Sequence, residues 1–376
     1  MRIAVNTRML LKGKMEGIGY FTYETMKRMV KNHPEHQFIF MFDRPFDEAF
    51  VFSENVEPIV VSPPARHPLL WYWWYEHSLP SAFKKSKADL FIGTDGYLSV
   101  SSKVKTLSVF HDINFEHYPE DLPVFNRLFY KHYFPIYARK AARIAAVSGF
   151  TKNDVVEKYN IDPGKIDIVY NGVSDQFKQL SDTEILDVRN KFSQGQPYFL
   201  FVGSLHQRKN ISNMLKAFDA FKKSKSSPVK MVLAGAKRWW TDEMETTLQK
   251  MENKPDVIFT GRVSFEELCR ITAGALTMTY VSTFEGFGIP IVEAMRSGVP
   301  VITSNVTSMP EIAGNAALLC DPFSVQSISD AMIRMADDDQ LRKKLIESGL
   351  IRQADFSWDK TAKQLWDSVE KTIDSL

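Results

Sequence analysis

Short runs rich in β-branched and aromatic residues alternate with longer amphipathic stretches from one end of this sequence to the other. No other feature restricts the fold as much, because such alternation suits parallel strands with helices layered on them. In the first half the runs predict strands near Arg2–Arg8, Phe38–Phe42, Val56–Val61, Leu90–Gly93, Thr106–Phe110, Arg143–Val147 and Ile166–Val169. In the second half they fall near Tyr198–Gly203, Lys230–Ala234, Val257–Gly261, Leu276–Val281, Val301–Ser304 and Ala317–Leu319. Each set suits a doubly wound sheet, so the expected class is α/β with two such domains in tandem. The join is placed in Lys178–Pro197, a polar stretch that ends in Ser193-Gln-Gly-Gln-Pro197 before a strongly apolar strand.

A chain of 376 residues is long enough for two or three domains. A net charge of +2 argues against a general nucleic-acid binder. The 2 cysteines, Cys269 and Cys320, lack metal-like spacing, which disfavours a disulfide framework or a zinc site and fits a reducing cytosol. Met1-Arg-Ile-Ala-Val enters a strand directly, and no apolar run approaches the ~18–20 residues of a membrane span. A cytoplasmic protein is expected.

Residues 280–298, from Tyr280 through Gly298, carry the densest local information. An apolar strand ends there, a glycine turn follows, and Pro290 stands where a first helical residue should sit because its missing N–H is not needed, which puts Glu293 in the first turn. Gly298-Val-Pro300 stops the helix. Free N–H groups and the positive end of a helix dipole suit phosphate, and Glu285 and Glu293 flanking them suit sugar or ribose hydroxyls. An ordinary strand–turn–helix with a capping carboxylate fits the same pattern.

Other candidates lie at strand ends, where open parallel sheets bind ligands. Lys12-Gly-Lys-Met-Glu-Gly-Ile-Gly-Tyr20 is a glycine loop, but Gly17-x-Gly19 lacks the third glycine of a dinucleotide fingerprint, which disfavours nicotinamide or flavin. His111-Asp112 is a polar pair after a core strand; it reads as functional groups or as a satisfied core histidine. Arg208-Lys209 offers two fixed cations for a diphosphate, or a solvated pair. The aromatic stretch His67–His77 suits a helix packed on the first sheet, with a sugar-stacking surface as the alternative. Residues 123–143 hold basic and aromatic residues and no carboxylate; they suit either an anionic membrane surface or a core stripe with a solvated basic face. Ser308-Met-Pro-Glu311 reads as a capping box, and Asp337-Asp-Asp339 as a solvated acidic run rather than a metal site.

Taken in order, these motifs resemble glycosyltransferase family 4, retaining enzymes of the GT-B fold with two Rossmann-like domains facing across a cleft. Glu285-Gly-Phe-Gly-Ile-Pro-Ile-Val-Glu293 matches the Glu-x7-Glu motif. Gly17-Ile-Gly19, His111-Asp112, Val147-Ser-Gly-Phe-Thr-Lys152, Tyr170-Asn-Gly-Val173, Arg208-Lys209, Gly261-Arg-Val263 and Ser308-Met-Pro-Glu311 follow the family's order. The resemblance implies an acceptor-side domain over 1–190, a nucleotide-sugar domain over 191–355, and a terminal helix, 356–376, packing back on the first domain. It implies that Glu285 holds donor-sugar hydroxyls and Glu293 the ribose. The amides of Gly288, Ile289 and Ile291 would face the sugar and diphosphate, with Pro290 contributing none, and Gly286 and Phe287 would belong to the same donor-binding loop. Arg208 and Lys209 would neutralise the diphosphate, Val263 would contact the base, and His111 the transferring sugar. Gly19 would admit the diphosphate, with Gly17, Tyr20 and Asp112 on the acceptor side. Gly203-Ser204 stands where many members carry Gly-Arg, so Arg208 is expected to take the missing role.

The implied activity is hexosyl transfer from a nucleotide diphosphate sugar, with GDP-mannose the best match, to a glycan or lipid-linked glycan in polysaccharide biosynthesis. No cofactor or metal is expected. A nucleotide-sugar epimerase of the same fold and a non-catalytic sugar-binding module are the alternatives. Peripheral attachment to the inner face of an anionic membrane through 123–143 is a further expectation.

Overall fold

The computed structural model describes Met1–Asp374. Strand side chains that are apolar on both faces require cover on both faces. Tyr198-Phe-Leu-Phe-Val202 meets that condition, being buried along its whole length.

Among the described residues the first sheet comprises β1 (Arg2–Asn6), β2 (Gln37–Phe42), β3 (Val56–Val60), β4 (Leu90–Gly93), β5 (Lys105–Phe110), β6 (Arg143–Ala146) and β7 (Ile166–Ile168). Its order is β3-β2-β1-β4-β5-β6-β7, with parallel ladders throughout. The second comprises β8 (Tyr198–Val202), β9 (Lys230–Ala234), β10 (Val257–Gly261), β11 (Thr277–Tyr280), β12 (Val301–Ser304) and β13 (Ala317–Cys320), in the order β10-β9-β8-β11-β12-β13, again parallel. Every expected strand is present. Chain direction across each sheet reverses once, between β1 and β4 in the first and between β8 and β11 in the second. Loops leaving the carboxyl ends of those strands diverge, and the gap between them is where such sheets bind ligands.

The chain divides into two compact units, Met1–Gly172 with Trp358–Leu376, and Val173–Ser357. The first boundary therefore falls earlier than residue 190. The reason is local: helix Asp182–Ser193 belongs to the second unit, where Val188 is buried and Arg189 Nε donates to the Gly274 carbonyl (3.1 Å). The terminal helix Trp358–Asp374 lies with the first unit. It buries Leu365, Trp366 and Val369, and it packs on the helix Gly17–Asn32. Trp366 stacks on His33 at 3.5 Å between ring centroids, and Thr361 Oγ1 donates to the Tyr170 carbonyl (2.8 Å).

The aromatic stretch from His67 splits its rings between two environments. Helix Pro68–Trp73 runs through a π-helical turn, Trp74–Ser78, into helix Leu79–Ser86. Trp74 and Tyr75 are core residues, with Trp74 Nε1 donating to the Val61 carbonyl (2.7 Å). Leu69, Tyr72 and Trp73 are exposed. Helix Val124–Lys140 is divided similarly: Phe129, Phe134 and Tyr137 are buried, whereas Phe125 and Leu128 face outward. Arg143, just beyond it, is held by Asp167 through two hydrogen bonds (2.8 and 2.9 Å), so it belongs to β6 rather than to the basic face.

At the end of β9, Gly235 lies against the end of β8. A Cβ there would stand 1.8 Å from the Gly203 carbonyl oxygen. Gly235→Ala must displace backbone, and about 2–3 kcal/mol of lost stability is expected. A urea melt followed by circular dichroism should show the lower midpoint.

Candidate active site

The loops after β8 and β11 are stitched together before any charge is considered. Asn210, in the left-handed region at φ 61°, donates from Nδ2 to the carbonyls of Val281 (3.0 Å) and Pro322 (2.7 Å). The amide and hydroxyl of Thr283 both donate to the Arg208 carbonyl (2.9 and 3.1 Å). Arg208 answers with a hydrogen bond from its guanidinium to the Phe284 carbonyl (2.8 Å).

Glu285 stands in the middle of this arrangement, 7% exposed. Lys209 Nζ donates to one carboxylate oxygen, and Arg208 reaches the other at 3.3 Å. Tyr280, the last residue of β11, donates its hydroxyl to Glu285 Oε1 (3.0 Å) and accepts from Lys209 Nζ (2.8 Å). Burial works against a charged carboxylate, but the adjacent Lys209 and Arg208 outweigh it and hold Glu285 down to about 2. Tyr280 is pushed well above its ordinary value by burial and by Glu285, so its hydroxyl stays a donor.

Ser308 does not cap its helix. Its backbone is helical and its side chain makes no capping bond; its hydroxyl donates instead to the carbonyls of Glu285 (2.9 Å) and Phe287 (3.1 Å). The motif thus serves the loop beside it.

Helix Ile289–Arg296 begins from Gly288, at φ 93°. Pro290 is its second residue and Glu293 its fifth, so Glu293 lies beyond the first turn. Of the backbone expected to face a ligand, the Ile291 amide is already bonded to the Gly288 carbonyl (3.0 Å) and Pro290 has none. Gly288 and Ile289 are left as the candidate donors. The Phe287 ring points into the core against Phe356. Burial alone pushes the Glu293 carboxyl up to about 8, making it neutral at pH 7. Gly203 and the exposed Ser204 share the β8 loop with Arg208, while Val263 follows the edge strand β10.

In the first unit the equivalent loops, after β1 and β4, carry a buried ion pair that sequence reasoning missed. Arg8 Nε donates to Asp95 Oδ2 (2.7 Å), Asn6 donates to Asp95 Oδ1 (2.8 Å), and the guanidinium lies 4.6 Å from the Tyr97 ring centroid. The available signal was the cation Arg8 directly after an apolar strand. A cavity of about 450 Å³ opens here, lined by Arg8, Asp95, Trp71, His111, Asp112 and Tyr130 among others. His111 Nε2 meets the Thr94 carbonyl (2.9 Å), which can only accept, so Nε2 carries the proton and Nδ1 is the acceptor. Burial lowers its pKa and keeps it neutral. Asp112 accepts from the Asn114 amide (3.1 Å).

Gly17, Gly19 and Tyr20 do not line that cavity; Ile18 does. Gly19 is buried, and a Cβ on it would meet the Met9 carbonyl at 2.7 Å, so its missing side chain serves internal packing. Gly17 is the exposed glycine of the pair. Asp338 caps the helix Asp339–Arg352, and no cluster of potential metal ligands occurs among the described residues.

A neutral, half-buried carboxyl has a definite linkage sign. Glu293 favours the folded state fully below the ordinary carboxylate range, and that contribution is lost as pH rises to about 8. Glu293→Gln is therefore expected to gain roughly 3–5 kcal/mol relative to the parent between pH 4.5 and pH 8. Urea titrations at both pH values provide the check.

Comparison with known proteins agrees with this geometry. Residues 182–351 match the family of glycosyl transferases group 1, and residues 15–177 match glycosyltransferase family 4. Over 365 residues the chain is 27% identical to O-antigen chain mannosyltransferase B of Escherichia coli, covering 94% of this chain and 96% of that protein. It is also 27% identical over 268 residues to O-antigen chain mannosyltransferase RfbU of Salmonella typhimurium, 70% of each chain. In fold it is similar to sucrose-phosphate synthase of Thermosynechococcus elongatus, with a TM-score of 0.80 at 16% identity over the whole of both chains. With both halves matched and two parallel Rossmann-like sheets to carry them, the chain belongs to the group 1 glycosyltransferases of the GT-B fold.

Proposed function

We propose that this enzyme transfers mannose, with retention of anomeric configuration, from GDP-mannose to a hydroxyl of a glycan or lipid-linked glycan during assembly of an O-antigen-like surface polysaccharide. The observation that carries the reading is the Glu285 carboxylate fixed between Lys209 and Arg208 at the switch point of the second sheet. The sugar assignment rests on the names of the mannosyltransferase relatives.

As the bond from the sugar's anomeric carbon to phosphate breaks, negative charge gathers on the departing diphosphate. Lys209, Arg208 and the amides of Gly288 and Ile289 are the donors that stabilise it. The acceptor oxygen bonds to the same face of that carbon and passes its proton to the departing phosphate oxygen. Glu285 is ionised and held by two cations and a phenol, which suits a positioning group better than a nucleophile. A neutral Glu293 both donates and accepts, as a ribose diol requires. His111 Nδ1 offers an acceptor for a sugar hydroxyl. With the charge met by side-chain cations, no divalent metal is needed.

Lys209→Ala and Glu285→Gln are expected to lower turnover by ~10²–10³, while rates stay the same with and without a chelator. Near-parental turnover in both folded variants would remove the site assignment. Across a panel of nucleotide sugars, GDP-mannose should give the largest rise in Tm. Conversion of a nucleotide sugar without acceptor would support an epimerase instead.

A further inference from the structure

Two sequence-distant helices of the first unit lie side by side and expose apolar side chains together. From helix Pro68–Trp73, Leu69 is 74% and Trp73 54% exposed; from helix Val124–Lys140, Phe125 is 71% and Leu128 59% exposed. Ring contacts lock the helices to one another: Trp71 stacks on Tyr130 at 5.7 Å and 4° between planes, and Tyr72 meets Tyr133 at 6.2 Å. The outward rings are therefore displayed on a rigid base anchored by Trp74, Phe129 and Phe134.

The two segments themselves carry charges of one sign; beyond them, Glu76 is engaged by the Val100 and Ser101 amides (2.7 and 2.9 Å) and Glu120 stands exposed before the second helix. Residues 58–75 and 122–153 contain no aspartate or glutamate, while Arg66, Lys131, Arg139 and Lys140 are exposed. On helix Val124–Lys140 the outward positions 124, 125, 128, 131, 132 and 139 follow helical spacing, apolar at the start and basic toward the end. A partner for this face must accept tryptophan, phenylalanine and leucine and must also be negative. We infer that helices Pro68–Trp73 and Val124–Lys140 form one docking surface for an anionic lipid bilayer. Leu69, Trp73, Phe125 and Leu128 enter the interface, and Lys131 and Arg139 meet lipid phosphates. Trp71 and Tyr130 of these same helices also wall the Arg8–Asp95 cavity, so docking brings that cavity to the lipid interface. The inference does not depend on which sugar is transferred.

The test is flotation of the full chain with phosphatidylcholine vesicles, with and without phosphatidylglycerol. The parent should float only with the anionic vesicles, and less as salt rises. Trp73→Ser combined with Phe125→Ser should reduce partition at least about ten-fold with an unchanged Tm, because both side chains are already exposed. Lys131→Glu with Arg139→Glu should do the same and remove the preference for anionic lipid. Equal binding to both vesicle types, or parental binding by the serine variant, would overturn the proposal. So would light scattering that shows a dimer in the parent and a monomer in the serine variant, since a second copy would then be the occupant.

Discussion

Glu285, Lys209 and Arg208 form the interaction on which the second unit's site depends. Each charge is nearly buried, and none would be tolerated there alone; removing one partner of such a group typically costs ~3–5 kcal/mol, because the others are left uncompensated. The cluster is therefore less a source of stability than a constraint on geometry. It can exist only when the loops after β8 and β11 have closed on one another through Thr283 and Asn210. Tyr280 adds a neutral donor and acceptor in the same space, leaving the carboxylate little freedom to turn.

The first unit solves the same problem with different residues. Arg8 follows β1, Asp95 follows β4, and their buried pair bridges the point where the strand order reverses. In both units a cation from the loop after the first strand meets a carboxylate from the loop after the neighbouring, sequence-distant strand. Parallel sheets impose this, since their carboxyl ends lie on one edge and only the diverging loops leave room for side chains. Electrostatics then decides what each edge offers: a compensated pair under aromatic rings in one unit, and a carboxylate between two cations in the other.

Much of this was legible in the residues. The strands could be read because each is a short apolar run bounded by polar or glycine-containing segments, and Glu285–Glu293 because its glycines and proline dictate a turn. Where reading failed, the missing information was three-dimensional. Ser308 has the spacing of a cap, but its hydroxyl is nearer to two carbonyls from a different loop. At Gly19 the residues suggest close approach to a ligand and cannot show that the Met9 carbonyl fills the space a side chain would need. Trp73 and Trp74 are adjacent and chemically identical, and the turn of roughly 100° per helical residue points one into the core and leaves the other outside. Arg8 was passed over because one cation after a strand carries no motif; its meaning comes from Asp95, far along the chain.

The return of helix Trp358–Asp374 to the first unit also has a consequence in time. A chain made from its amino end has all seven strands of the first sheet available once β7 is complete, yet the helix that covers Gly17–Asn32 comes only after the whole of Val173–Ser357. Until then Phe38 and the apolar face of helix Gly17–Asn32 lack part of their cover, while the whole of Val173–Ser357 is being made. Of these two units, the one begun first is thus the one completed second. That leaves the nascent enzyme with an unsealed core throughout the synthesis of its donor-side half, the condition in which partly folded chains associate wrongly.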